Sequence, residues 1–379
     1  MDVSVKRPGA LILFRTNGIV VYPRSSELQE GLLGFRWRMK KILIVCVAFS
    51  MLVACSDNGN VFKLGRRVYA IPSKTIMLTP SDSISGSCLN GINGLQCVID
   101  SVLIFHLMDA TGHSFRALDL RTSTYTDFLR IGRGPGEILM GYFSGGRKQI
   151  GQTLVDVSAM NEGVLLSIDL GETLRTGQTV IADTTEVLPF SLASYLVGDQ
   201  VLSEVVNDED IFSYKLYDRE GQVVSRIMQP YGADEYLAYY QPLFNASKRM
   251  KPDGTKLCLG MVYFDELNIL DLQGDEHVCS SLSRRLRGPE IIEESIETGK
   301  IGKGIYYVNL SVTDEKIIAL YLEKNGPQEA RSAIHVFSWD GLLESVYHTR
   351  EPLGAITVSE DGRTLYGVTG EEVLYVYNI

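Results

Sequence analysis

The chain has 379 residues, 45% of them hydrophobic, with 36 basic and 46 acidic side chains and a net charge of −10. Residues 1–54 hold eight of the basic and three of the acidic side chains, leaving 28 against 43, or −15, in the remainder. An acidic domain with no basic run has no electrostatic footprint for nucleic acid, and anionic lipid gives it no attraction.

Residues 1–38 carry scattered Arg and Lys, Pro8 and Pro23, and no clear period of 2 or 3.6. Met39, followed at once by Lys40 and Lys41, reads as the true start, which makes residues 1–38 a gene-start artefact or a disordered leader. Residues 39–56, MKKILIVCVAFSMLVACS, run from two lysines through an apolar stretch to small residues and a cysteine. That is the order of a secretory signal. With cysteine at the cleavage point it resembles a bacterial lipoprotein signal, so residues 39–54 are expected to be removed. Cys55 then becomes the lipidated first residue, and residues 55–62 serve as a tether. A membrane-spanning helix is the alternative, but Ile42–Ala54 is only 13 residues long, against roughly 20 needed to cross the hydrocarbon. Ser56, not Asp, follows the cysteine, which by the usual sorting logic favours the outer membrane, on either face.

An exported domain permits disulfides. Cys88 and Cys97 flank the glycine-containing LNGINGLQ and are the candidate pair, with buried free thiols as the alternative.

From Lys63 onward, short runs of Val, Ile, Leu, Tyr and Phe alternate with turn residues, which is strand chemistry. An Asp-containing turn followed by an apolar strand recurs, as in VIDSVLIFH (98–106), KPDGTKLCLG (251–260) and VTDEKIIALY (312–321). A strand, polar turn and second strand follow it, as in YKLYDREGQVVSRI (214–227). Asp-Gly at 253–254, 340–341 and 361–362 marks hairpins. Anchors at Asp100, Leu154, Asp199, Asp253, Asp314 and Asp361 are separated by 45 to 61 residues. Units of that size with about four strands each predict an all-β, six-bladed β-propeller over residues 63–379, preceded by the signal segment. A pair of β-sandwiches fits the recurring units less well. The last unit ends one strand short at Ile379, and RRVYAIPS (66–73) is expected to complete it, closing the ring.

IGRGPGEI (131–138) follows the first unit, behind the lipoprotein signal and ahead of the divergent repeats. In this the chain resembles the TolB-like six-bladed propeller lipoproteins of Gram-negative envelopes, many of which carry a Gly-Arg-Gly-Pro-Gly-Glu segment near this point. The resemblance covers roughly residues 63–379; it implies an architecture and an address, and brings no catalytic residues.

Within GRGPGE, bare backbone beside Arg133 and Glu137 suits a binding loop, while a tight connection tied down by those two side chains is the structural alternative. LRGPEI (286–291) echoes it about three units later. YGADEYLAYYQPLF (231–244) places Tyr236, Tyr239 and Tyr240 where they could stack on sugars or peptides, or pack over a blade. The five histidines show no metal-ligand spacing, and no HExxH, GxSxG or CxxC occurs, so neither a metal nor another cofactor is expected. The expected function is that of an envelope-anchored propeller binding a protein, glycan or other ligand without catalysis. The alternative is an exported hydrolase or lyase acting on glycans or peptides, with residues from several blades meeting in the channel.

Overall fold

The computed structural model describes residues 4–7, 10–15, 18–23, 66–108, 111–149, 151–187, 191–205, 213–227, 241–274, 276–283, 288–299, 304–322 and 331–379. The chain divides into two compact units, residues 1–58 and 59–379. In the first, strands Ser4–Arg7, Ala10–Arg15 and Gly18–Pro23 pair as an antiparallel meander. Two short apolar runs, Ala10–Arg15 and Gly18–Pro23, form its second hairpin, with Arg15 opposite Gly18. The signal segment, Cys55 and the tether lie outside the described residues.

The second unit holds six sheets. Blade 1 is built from Ile92–Ile99, Val102–Leu107, His113–Asp119 and Thr124–Arg130. Blade 2 comprises Gly141–Gln149, Gln152–Ala159, Val164–Asp169 and Ile181–Glu186. Blade 3 comprises Ser191–Val197, Gln200–Val205, Ser213–Tyr217 and Val223–Ile227. Blade 4 contains Ala246–Met250, Lys256–Met261, Leu267–Asp271 and His277–Ser281. Blade 5 contains Tyr307–Val312, Lys316–Tyr321, Ser332–Ser338 and Leu343–Thr349. Blade 6 draws Leu353–Val358, Thr364–Thr369 and Leu374–Asn378 from the C-terminus. First strands of neighbouring blades touch one another, which places them around the axis. This is a six-bladed β-propeller. Asp100, Asp199, Asp253, Asp314 and Asp361 each fall in the turn between a blade's first two strands, whereas Leu154 lies inside a second strand. At the three Asp-Gly turns, Gly254, Gly341 and Gly362 have φ of 71°, 81° and 70°, the left-handed region that glycine enters without strain.

Closure differs from expectation. Asp82–Ile84 pairs antiparallel with Leu374–Val376 and supplies the fourth strand of blade 6. Arg66–Tyr69, the strand inside RRVYAIPS, instead lies parallel to His277–Ser281 as a fifth strand of blade 4. Lys74–Met77 does the same for Leu343–Thr349 in blade 5. One extended segment, residues 66–84, therefore straps the outer edges of three successive blades. Ala70 N–H donates to Ser281 O at 2.8 Å, Leu78 N–H to His348 O at 2.8 Å and Ser81 N–H to Val376 O at 2.7 Å. Exposed outer edges are thereby capped over three of the six blades.

The apolar core lies between blades. Separate clusters fill the seams between blades 1 and 2, 3 and 4, 4 and 5, 5 and 6, and 6 and 1. Among the described residues the seam between blades 2 and 3 has no such cluster. It opens instead into a cleft of about 970 Å³ lined by Asp183, Glu186, Asp199, Asp218, Glu220 and Asp253.

Blade 5 buries a histidine. His335 is 1% exposed and stacks on Tyr321 with centroids 4.4 Å apart, edge-on to Tyr307 and Phe337. Burial, helped by the nearby His348, pushes its pKa down to about 3. The folded pKa lies below the ordinary value of about 6.5, so only the unfolded chain takes up this proton readily. The neutral ring's contribution is complete above pH 6.5 and is lost as pH falls toward 3. Between pH 7 and pH 5 that loss is about 2 kcal/mol. In urea unfolding at both pH values, wild type is expected to lose about that much more stability than His335→Gln. Equal losses would show that His335 does not govern this window.

Candidate ligand-binding channel

The first strands of a propeller expose alternate side chains to the axis, because successive residues in a strand face opposite ways. At the face carrying the Asp turns, a cavity of about 420 Å³ draws lining residues from all six blades, among them Gln96, Phe143, Tyr195, Arg249, Ser311 and Thr357. Toward the other face lies a second cavity of about 640 Å³, which includes His106, Tyr142, Glu204 and Lys248. Gln96, Phe143, Tyr195 and Arg249 line both and form the waist between them.

Most carboxylates around the channel are held by neighbouring cations, Asp314 being the exception among the described residues. Lys148 Nζ sits 2.7 Å from both Asp100 Oδ1 and Glu360 Oε2, joining blades 2, 1 and 6. These two hydrogen bonds hold the ammonium above its usual pKa. Arg147 Nε donates to Asp156 Oδ2 at 2.9 Å, and Ser167 Oγ donates to Asp156 Oδ1 at 2.6 Å. Lys251 pairs with Asp253. At the far end Lys248 Nζ and Glu204 Oε2 are 2.7 Å apart, with both side chains largely buried. The phenols of Tyr195 and Tyr214 are raised by burial first and by Glu204 second, so both stay neutral.

Arg249 is the exception. Its Nη1 donates to Lys248 O at 2.8 Å, and Nη2 to the backbone O and Oε1 of Gln96 at 3.3 and 3.2 Å. Its Cζ lies 5.7 Å from the Phe143 ring centroid. Every one of these partners is uncharged, and burial lowers the guanidinium's pKa. Burial likewise pushes the nearby Cys97 thiol up to about 12, with Arg249 pulling the other way.

The sequence candidates lie elsewhere. Arg133 is exposed and forms no ion pair with Glu137. Glu137 turns back within its own loop: Gly134 N–H donates to Glu137 Oε2 at 2.9 Å, and Arg130, not Arg133, is its cation, at 3.8 Å. The carboxylate occupies the space a Cβ on Gly132 or Gly134 would need, which is why the motif is glycine-rich. The loop joins blade 1 to blade 2. Its echo opens the helix Gly288–Thr298, which joins blade 4 to blade 5. Tyr236, Tyr239, Tyr240 and Cys55 lie outside the described residues. Cys88 and Cys97 are free thiols in place of the expected bridge. They pack into different seams, Cys88 between blades 6 and 1 and Cys97 between blades 1 and 2. Of the histidines, His106 alone reaches the channel's lining, and His277, His335 and His348 are buried within blades 4 and 5.

Sequence reasoning missed Arg249, Lys248 and Lys148. The one available signal was the dense SKRMK (247–251) just ahead of a hairpin turn.

No family model matches the chain, and no curated protein does. Solved structures do. A member of the DUF4221 family from Bacteroides vulgatus is 13% identical, with 79% of this chain and 97% of that one covered and a TM-score of 0.48. The Cps50 (Swd1) β-propeller domain of Myceliophteria thermophila is 11% identical, covering 80% and 99%, at a TM-score of 0.40. A chain of a mitotic checkpoint complex is 10% identical, covering 84% and 98%, at 0.43. The propeller assignment rests on this chain's own six sheets.

Proposed function

We propose that the chain is a lipid-anchored propeller of the bacterial cell envelope, tethered through Cys55, that captures a ligand in its channel without transforming it. The observation that carries the binding role is a cavity lined from all six blades, two of whose three carboxylates, Asp156 and Glu360, are tied to Arg147 and Lys148. General acid–base work needs a carboxyl or imidazole free to exchange a proton with substrate. Groups held in ion pairs are better suited to shaping a seat than to turning over its contents. An exported hydrolase or lyase ranks second for that reason. The address rests on the apolar run ending in Leu52-Val53-Ala54-Cys55 and on the TolB-like resemblance.

Metabolic labelling with an alkyne fatty acid should mark the wild-type protein in the membrane fraction and leave Cys55→Ala unmarked. Label retained by Cys55→Ala would sink the anchor. Glycan and peptide panels should raise the melting temperature without yielding products on long incubation. Turnover of any member would move the assignment to the hydrolase or lyase.

A further inference from the structure

Among the described cations around the channel, four have a carboxylate within 4 Å and Arg249 has none. Its Nε is shut off from solvent and has no hydrogen-bond partner, while its other donors meet only neutral oxygens. Burying a charge beside uncharged groups is unfavourable, because carbonyls replace lost water incompletely and supply no counter-charge. The position is central: Arg249 lines both cavities at their shared waist. Volumes of about 420 and 640 Å³ fall in the range that holds small molecules. The surroundings are mixed. Phe143 and Val98 offer apolar surface, Ser144 and Ser311 offer hydroxyls, and Gly145 and Gly146 leave backbone bare.

We propose that Arg249 anchors a small carboxylate-bearing molecule in the channel, its guanidinium meeting the carboxylate and the Phe143 side of the cavity meeting the molecule's body. The inference rests on the channel being the ligand seat and adds the chemical class. A single charge is the better match. One unpaired guanidinium balances one carboxylate, whereas a phosphate dianion would leave excess negative charge beside Asp156 and Glu360. Guanidinium and carboxylate are both planar and bond through paired N–H donors, a fit that an ammonium lacks.

The test uses the full chain and three probes: benzoate, its neutral isostere benzamide, and inorganic phosphate. Calorimetric titration gives affinity, and hydrogen–deuterium exchange over Ile92–Ile99, Gly141–Gln149 and Ala246–Met250 reports whether a probe occupies the channel. Benzoate should bind wild type and protect those strands, with benzamide and phosphate at least about tenfold weaker. Charge-assisted hydrogen bonds carry discrimination of that size. Arg249→Gln should weaken benzoate by about tenfold or more, to the level of benzamide, and Arg249→Lys should fall between. Without a probe, Arg249→Gln should melt no lower than wild type, since an uncompensated buried charge has gone. Benzamide binding as well as benzoate, with Arg249→Gln unchanged and the strands still protected, would overturn the ligand class and leave the channel as the seat. No protection by any probe would overturn both. Tighter phosphate than benzoate would also overturn the carboxylate. A lower melting point with unchanged benzoate affinity would make Arg249 structural. If Arg249→Gln does not fold, Arg249→Lys decides, because benzoate affinity equal to wild type in that variant would refute the paired-donor contact.

Discussion

Stepwise removal of the strap is expected to destabilise the propeller unevenly, with most of the loss in the last step. Deleting residues 59–71 strips blade 4 of a fifth strand, and deleting 59–79 strips blade 5 as well. Both blades keep four antiparallel strands, so the first step should cost only a few degrees and the second somewhat more, because it also removes the buried Leu78. Deleting 59–85 takes away the fourth strand of blade 6, with its pairing to Leu374–Val376 and the Ser81 N–H bond to Val376 O. That leaves a three-stranded blade with a long open edge in a ring that has lost the strand shared between the two ends of the domain. Individual hydrogen bonds are worth about 0.5–1.5 kcal/mol net. Losing several together with Ile84, which packs into the seam between blades 6 and 1, gives about 5 kcal/mol, or roughly 10–20 °C in a domain of this size. Thermal scans of the three deletions, with light scattering for edge-driven association, check the order. A full drop already at 59–71 would return the closing role to RRVYAIPS. An unchanged scan at 59–85 would show that the strap is dispensable.

Arg116→Met is expected to rank among the most damaging single substitutions in the chain. Arg116 is 6% exposed and clasps Asp127 through both ends of its fork, Nε to Oδ1 at 2.6 Å and Nη2 to Oδ2 at 2.7 Å. Its Nη1 donates to the carbonyls of Cys88 and Asn90 at 3.1 and 2.9 Å, and its Cζ lies 4.2 Å from the centroid of the Tyr125 ring. The hydrogen bond that Arg116 donates to Asp127 raises the guanidinium's pKa, its charged state being favoured despite burial. One side chain thus ties the turn after the closing strand to the third and fourth strands of blade 1. Methionine fills similar volume but strands a carboxylate and several carbonyls. Breaking a buried pair from one side costs about 3–5 kcal/mol. Equilibrium denaturation should show a loss of that size for Arg116→Met, a smaller one for Asp127→Asn, and partial recovery in Arg116→Met/Asp127→Leu. Additive losses in the double variant would mean that the two side chains do not act as a unit.

The ring was legible in the sequence because its turns are local. Asp253-Gly254 and Asp361-Gly362 announce themselves through backbone sterics within two residues, and the repeat length then follows. The strap was not legible in detail. Arg66–Tyr69, Lys74–Met77 and Asp82–Ile84 are three short extended pieces, and nothing within them states which outer edge each will meet. The parallel partners of the first two are chosen by where the blades end in space. Arg249 stayed hidden for the same reason. Its significance depends on Gln96, Phe143 and Tyr195, which come from other blades, and on the absence of a carboxylate that only three dimensions can reveal. Arg133 looked like the partner of Glu137 because it is four residues away, whereas the tight turn through Gly134 and Gly136 delivers the carboxylate to Arg130 and to its own backbone.

The strap also sets a clock. Arg67 bonds to Ser283 across 216 positions, and Ser81 to Val376 across 295. At about 5–20 residues per second, some 15–60 s separate the synthesis of residue 81 from that of the strand it must meet. Throughout that interval residues 82–84 have no strand to join, and blade 6 does not exist. A nascent chain of this protein cannot finish folding before its last residues emerge. Its ring closes only as a late event, once Leu374–Asn378 can pair with Asp82–Ile84.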